Sequence, residues 1–178
     1  MKYKIILASA SPRRQELLKK IVPRFRVIES GVDEASISAA SPVAFARKAA
    51  ISKAQAVAAK HKEAIVIGAD TIVLLGRKVL GKPKNRPEAI AMLKSLAGKT
   101  HRVITGIAVI FPGSKIASAT TVTRVKMNKV SDQEILAYVR SGRPLDKAGA
   151  YGIQGRERCS WNVSRAIILT WWAFPCLR

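Results

Sequence analysis

The chain predicts an α/β fold, and three observations lead there. Apolar runs of strand character alternate with longer segments of helical period, the order expected when helices pack on a sheet. The 178 residues are 48% hydrophobic, enough for one core or for one domain split around a cleft. No stretch repeats, no segment is of low complexity, and no apolar run is long enough to span a bilayer, so no membrane contact is expected.

The elements follow in order. Residues 3–8 predict a strand, with Ile5 to Ala8 buried, and the chain then breaks into Ser9-Ala10-Ser11-Pro12-Arg13-Arg14. Pro12 suits the first turn of a helix near 12–21, where its missing N–H costs nothing. A strand-to-helix turn offers free backbone N–H groups and the positive end of a helix dipole. Arg13 and Arg14 add two permanently charged forks that match phosphate oxygens, which points to a phosphorylated substrate. A strand near 25–29 comes next, then an alanine-rich helix near 42–60, whose apolar stripe is read as Phe45, Ala49 and Ala56.

Residues 64–70 form a second buried strand that ends in Asp70-Thr71. Ligands gather at the carboxyl ends of strands in open α/β sheets, which makes Asp70 the first catalytic candidate. Leu74 to Leu80 resembles a hairpin turning at Gly76, and it delivers Gly81-Lys82-Pro83, an amine on a stiffened loop. A helix near 87–96, strands near 103–111 and 118–127 and a helix near 131–140 complete the pattern. Asp146 to Gly155 is a glycine-rich loop carrying both charges and the amide of Gln154, and its glycines let backbone approach a ligand closely. Only His61 and His101 are present, too few for a histidine metal site or a Ser-His-Asp triad, and His101 is read as structural.

Six motifs in this order, S-A-S-P-R-R, V-D-E at 32–34, G-A-D-T, G-K-P, T-H-x-V-x-T-G at 100–106 and D-K-A-G-A-Y-G-I-Q-G, resemble the Maf-like nucleotide pyrophosphatases over about residues 4–155. The resemblance implies a mixed, strongly twisted sheet flanked by helices, with a central cleft, of the Maf and ITPase type. It implies hydrolysis of a nucleoside triphosphate between the α and β phosphorus, giving a monophosphate and pyrophosphate, with house-cleaning of modified nucleotides as one use. A divalent cation, Mg²⁺ or Mn²⁺, and a homodimer are implied with it. On this resemblance Asp70 is the proton acceptor, and Glu34, with Asp33 beside it, joins Asp70 in holding the metal. Arg13, Arg14, Lys53 and Lys82 grip phosphates. Arg13, Thr71 and Gln154 match the members that prefer the pyrimidine nucleotides dTTP and UTP, and an amide such as Gln154 offers both a donor and an acceptor to a pyrimidine edge. Two plainer readings compete: a solvated acidic turn for Asp33 and Glu34, and a snorkelling surface lysine for Lys53.

The net charge of +21 would ordinarily suggest nucleic-acid binding. The basic residues are scattered rather than gathered in one run, and aromatics make up only 6%, so base-stacking platforms are not expected. Dispersed charge suits steering of triphosphates, with weak nonspecific nucleic-acid binding at low salt. The N-terminus runs straight into a strand, without a signal peptide's apolar region, so a cytoplasmic protein is expected.

The resemblance stops after Gly155-Arg156. All three tryptophans and both cysteines lie in residues 156–178, where the family would continue with a strand and a glycine- and proline-containing loop. Written in permitted codons and read from the third base of the Glu157 codon, this tail becomes A-L-F-V-E-R-I-E-G-D-Y-S-N-V-V-G-L-P, which matches the family. A single base lost near Arg156 is therefore expected, leaving a Maf-like domain at 1–155 and an out-of-frame tail at 156–178. Cys159 and Cys176 imply no disulfide in a reducing compartment. A remnant inactivated by loss of that strand, or a basic nucleic-acid-binding protein, is the alternative to an active enzyme.

Overall fold

The computed structural model describes residues 3–152. Strand order in the six-stranded sheet is β2 (Arg26–Val27), β1 (Lys4–Leu7), β3 (Ala64–Leu75), β5 (Thr100–Ile110) and β6 (Ile116–Lys126), with β4 (Lys78–Leu80) paired to β3. β1 runs parallel to β2 and to β3, and β4 is antiparallel to β3, so the sheet is mixed as expected. Four α-helices accompany it among the described residues: α1 (Pro12–Lys19), α2 (Pro42–Ala58), α3 (Arg86–Leu96) and α4 (Asp132–Arg140). Every helix starts on a capping type of residue, and α1, α2 and α3 also carry Pro in their first turn.

The described chain divides into two compact units, 3–70 with 105–121 and 71–104 with 122–152. The first is built on alternation. Ile6, Ala8, Val66, Ala108 and Ile110 face α2 residues Ala50, Ala54 and Val57, while Leu7, Ile67 and Val109 point the other way and meet Leu18 of α1. The second buries Leu93 and Leu96 of α3 with Ile135 and Val139 of α4 against Val73, Val103 and Val125 of the strands. The β3–β4 hairpin turns through Gly76 and Arg77, and Gly76 at φ +60° supplies the left-handed residue that a two-residue turn needs.

Three expectations need correction. β3 does not end at Asp70 but runs on to Leu75, because Ile72, Val73 and Leu74 continue the buried run and the hairpin partner β4 pairs with this half. β2 shrinks to two exposed residues, since only Arg26 and Val27 find partners, at Ile6 and Leu7 of a strand itself four residues long. The buried face of α2 is Ala46, Ala49, Ala50, Lys53, Ala54 and Val57, which shares only Ala49 with the expected stripe of Phe45, Ala49 and Ala56. Its position is set by two glycines. A Cβ on Gly68 would lie 2.3 Å from the Ala50 carbonyl oxygen, and one on Gly106 would lie 2.2 Å from that of Ala46. The helix rests directly on the backbone of β3 and β5, which only alanine facing glycine allows.

Candidate active site

Parallel pairing of β1 with β3 closes at Leu7 and Ile67, where the Ala8 N–H donates to the Ile67 carbonyl at 2.7 Å. Beyond that point β1 turns into the Ser9–Ser11 loop and α1, while β3 continues through Gly68, Ala69 and Asp70. Asp70 is thus in mid-strand on β3 yet past the carboxyl end of β1, and in that sense the strand-end rule holds.

Arg14 ties the two strands together here. Its Nη1 donates to the Ala69 carbonyl at 2.8 Å and to Ser9 Oγ at 3.2 Å, and Ser9 Oγ also accepts from the Ser11 N–H at 3.3 Å. Burial pulls the Arg14 guanidinium below its ordinary value against the opposing pull of Asp70 and Glu34, and Arg13 adds a smaller push downward. A guanidinium stays charged through such a shift, so the loop after β1 holds a fixed cation beside Asp70.

Because α2 sits so low on the sheet, Lys53 reaches Asp70 from above. Its Nζ donates to Asp70 Oδ1 at 2.6 Å and to Glu34 Oε1 at 2.5 Å. Asp70 is 3% exposed and Lys53 9%, whereas the Glu34 side chain is about half exposed at 47%. Asp70 Oδ2 is buried and accepts no hydrogen bond among the described residues. Glu34 opens a short 3-10 turn, Glu34–Ser36, which Asp33 caps by accepting from the Ala35 N–H at 2.9 Å. Asp33 shapes the turn and Glu34 reaches the site. The arrangement joins two carboxylates on one ammonium, beside an arginine and with one oxygen left open.

A family model described as Maf-like protein matches residues 4–163. The chain belongs to the Maf-like family. Curated Maf-like relatives include proteins named dTTP/UTP pyrophosphatase: one from Carboxydothermus hydrogenoformans is 46% identical over 169 residues, with 90% of each chain covered. Another, from Aquifex aeolicus, is 45% identical over 152 residues, covering 85% of this chain and 79% of the relative. Among solved structures, the Ham1 protein of Staphylococcus aureus superposes with a TM-score of 0.53 at 17% identity, covering 96% of this chain and 97% of that one, a likeness of fold alone.

The Maf-like motifs are therefore brought together in part. Asp70, Glu34, Lys53 and Arg14 converge within the first unit, with Arg13 beside Arg14 on α1. Lys53 is buried between carboxylates, so the surface-lysine alternative is excluded, and its ammonium pairs with Asp70 and Glu34. The solvated-turn reading holds for Asp33 but not for Glu34. Thr71 follows Asp70 in the second unit, and Lys82 stands exposed on the loop after β4, also in that unit. Gln154 and the tail at 156–178 lie outside the described residues. Three contributors escaped the sequence reading. Ser9 was visible as part of S-A-S-P-R-R but not as the acceptor that holds Arg14. Gly68 and Gly106, each following a strand-like apolar or β-branched residue, were the available signal that a helix lies close to the sheet.

Proposed function

We propose that this protein hydrolyses nucleoside triphosphates, dTTP and UTP foremost, to the monophosphate and pyrophosphate. The observation that carries the reading is the buried Asp70 carboxylate, clamped through one oxygen by Lys53 and open at the other, beside arginines at the carboxyl end of β1. The names of the 45–46% identical relatives supply the substrate class.

In this reading Asp70 Oδ2 accepts a proton from, or orients, the water that attacks the α phosphorus. The bond from that phosphorus to the bridging oxygen breaks, and pyrophosphate leaves with its charge met by Arg13 and Arg14. Lys53 holds one Asp70 oxygen by direct contact and so fixes the direction of the carboxylate. Thr71 and Gln154 are assigned to the pyrimidine, and Arg13 joins them.

A divalent cation fits the residues present. Asp70 and Glu34 already share one cation, the Lys53 ammonium, and both are hard oxygen donors of the kind Mg²⁺ and Mn²⁺ take. No group of three or more His, Cys, Asp or Glu side chains suited to a metal occurs among the described residues, so phosphate oxygens and waters would complete the shell. Bound there, the ion supplies charge neutralisation at the phosphates and a more acidic water. The family resemblance also carries a homodimer and a cytoplasmic location into this reading. Among the described residues no helix is long and apolar enough to cross a membrane.

The test is incubation of the full chain with dTTP, UTP, CTP and GTP plus Mg²⁺ or Mn²⁺, with monophosphate and pyrophosphate quantified beside an Asp70→Asn control. Release from dTTP and UTP that depends on Asp70 and stops with chelator is expected. A folded protein that releases neither product overturns the reading and leaves the inactive remnant in its place. Nucleic-acid binding is a minor accompaniment on this view: it should be weak, fall steeply with salt and ignore Asp70→Asn.

A further inference from the structure

β4 leaves part of the sheet edge of the second unit open. It pairs with β3 on one side only, in the register Leu74–Val79 and Leu75–Lys78. In a two-residue hairpin the pair next to the turn exchanges both backbone hydrogen bonds and the following pair exchanges none. The Val79 N–H and C=O therefore point away from β3, and no strand among the described residues meets them. Two residues on, the Gly81 carbonyl accepts from the Gly149 N–H at 2.9 Å, so the edge beyond Val79 is closed by the chain itself. What stays open is the strand of three residues, about 10 Å of backbone.

A helix flanks this edge. α3 buries Ala89, Leu93 and Leu96 in the core, and its stripe of Ala91, Met92 and Ser95 lines a groove of about 210 Å³. Lys78, Val79 and Lys82 line the same groove from the side of β4. Val79, 47% exposed, gives it apolar surface together with Ala91 and the half-buried Met92. An extended chain laid between an edge strand and a helix gains main-chain hydrogen bonds from the one and side-chain contacts from the other.

Charge decides what kind of chain fits. Arg77, Lys78, Lys82, Lys84 and Arg86 are all exposed, and no acidic residue stands between Asp70 and Glu88. Glu88 is itself engaged, since its Oε2 accepts from the Lys84 N–H at 2.6 Å. Lysine on a strand edge guards against pairing, and against a second copy of a chain that carries +21 it does so here. An acidic strand turns the same charges into attraction. A nucleic acid would also answer the charge, but among the described residues no aromatic side chain lines the groove for a base to stack on.

We propose that the groove between β4 and α3 docks an extended acidic segment of another protein, which adds as a strand beside Val79 with its carboxylates against Lys78 and the neighbouring cations. The proposal does not depend on the hydrolytic reading.

The probe is a fluorescently labelled Glu-Val-Glu-Val-Glu peptide, followed by anisotropy at low salt on the full chain and on Val79→Pro, Val79→Ala and Lys78→Glu, each with a melting curve. Glu-Pro-Glu-Pro-Glu, which has the same charge but cannot pair as a strand, and an oligothymidylate are run beside it. Val79→Pro removes the outward N–H and spares the β3 ladder, so the valine peptide should bind about fivefold more weakly, the worth of one net hydrogen bond. Lys78→Glu should weaken it about fivefold as well by reversing a charge at the groove. Val79→Ala keeps the N–H and should stay within about twofold. The proline peptide should not compete. Where Val79→Pro fails to fold, Lys78→Glu and the proline peptide decide. Absence of binding by the valine peptide overturns the proposal. Equal binding of the valine and proline peptides, indifferent to Val79→Pro, also overturns it and leaves charge attraction alone. Oligothymidylate that binds where the acidic peptide does not overturns it in favour of nucleic acid. A peptide-free dimer, seen by sedimentation, that dissociates in Val79→Pro overturns it in favour of a second copy.

Discussion

Lys53 Nζ lies 2.6 Å from Asp70 Oδ1 while the other oxygen of the same carboxylate stays unclaimed among the described residues. One contact therefore holds one oxygen of the Asp70 carboxylate and leaves the other open. The same ammonium holds the more exposed Glu34, so charge balance at the site is spread over three side chains from three separate stretches of chain.

Asp70→Asn should reduce turnover by two to four orders of magnitude, about the worth of a general base, while nucleotide affinity changes less than about threefold. Lys53 keeps Glu34 as a partner in this variant, so folding should suffer little. Product release by chromatography and calorimetric binding of a non-hydrolysable dTTP analogue check both halves. Near-normal turnover would remove Asp70 from its assigned role.

Lys53→Met has the opposite profile. It strands a carboxylate that is 3% exposed, and breaking a buried pair from one side costs about 3–5 kcal/mol. Urea denaturation should show a loss clearly larger than that of Asp70→Asn. Equal losses in the two variants would mean that Arg14 or solvent already compensates Asp70.

Gly106→Ala places a methyl 2.2 Å from the Ala46 carbonyl oxygen, which α2 can relieve only by lifting from the sheet. Overpacking of this kind costs about 1–3 kcal/mol. Activity should fall beyond the stability loss, because α2 carries Lys53. Gly81→Ala is the matched control: a Cβ there meets nothing within 4 Å, and its stability should stay within about 0.5 kcal/mol.

The His101 ring makes stability depend on pH in a stated direction. Its native value, about 4, lies below the ordinary 6.5, so the unfolded chain binds more protons between those limits. The contribution is complete above pH 6.5 and is lost as pH falls toward 4, by roughly 2–3 kcal/mol in all. Denaturation midpoints should decline across that window in the unmodified chain and decline less in His101→Gln. Parallel pH profiles would show that His101 protonates freely in the native state.

Much of the fold was legible along the chain because its signals are local. The nearly continuous buried runs of β1 and β3, Pro12 and Pro42 at helix starts and Gly76 in its hairpin are each set within a few residues. Element edges were not. β3 outran its predicted end because burial on both sides of Asp70 comes from neighbours distant in sequence.

The sequence by itself determined the α/β order, the family resemblance and the identity of Asp70, Glu34, Lys53 and Arg14 as the residues of interest. Tertiary structure decided what those residues do to one another. Lys53 shows no partner along the chain, but the Gly68 and Gly106 gaps let α2 sink onto the sheet, which brings its ammonium between two carboxylates 19 and 17 residues away. His101 and Tyr151, 50 residues apart, likewise become partners only when a left-handed turn carries the tyrosine into the core. Spacing along a chain records the residue types available to a site; the distances that set their charge and direction come from how closely the backbones pack.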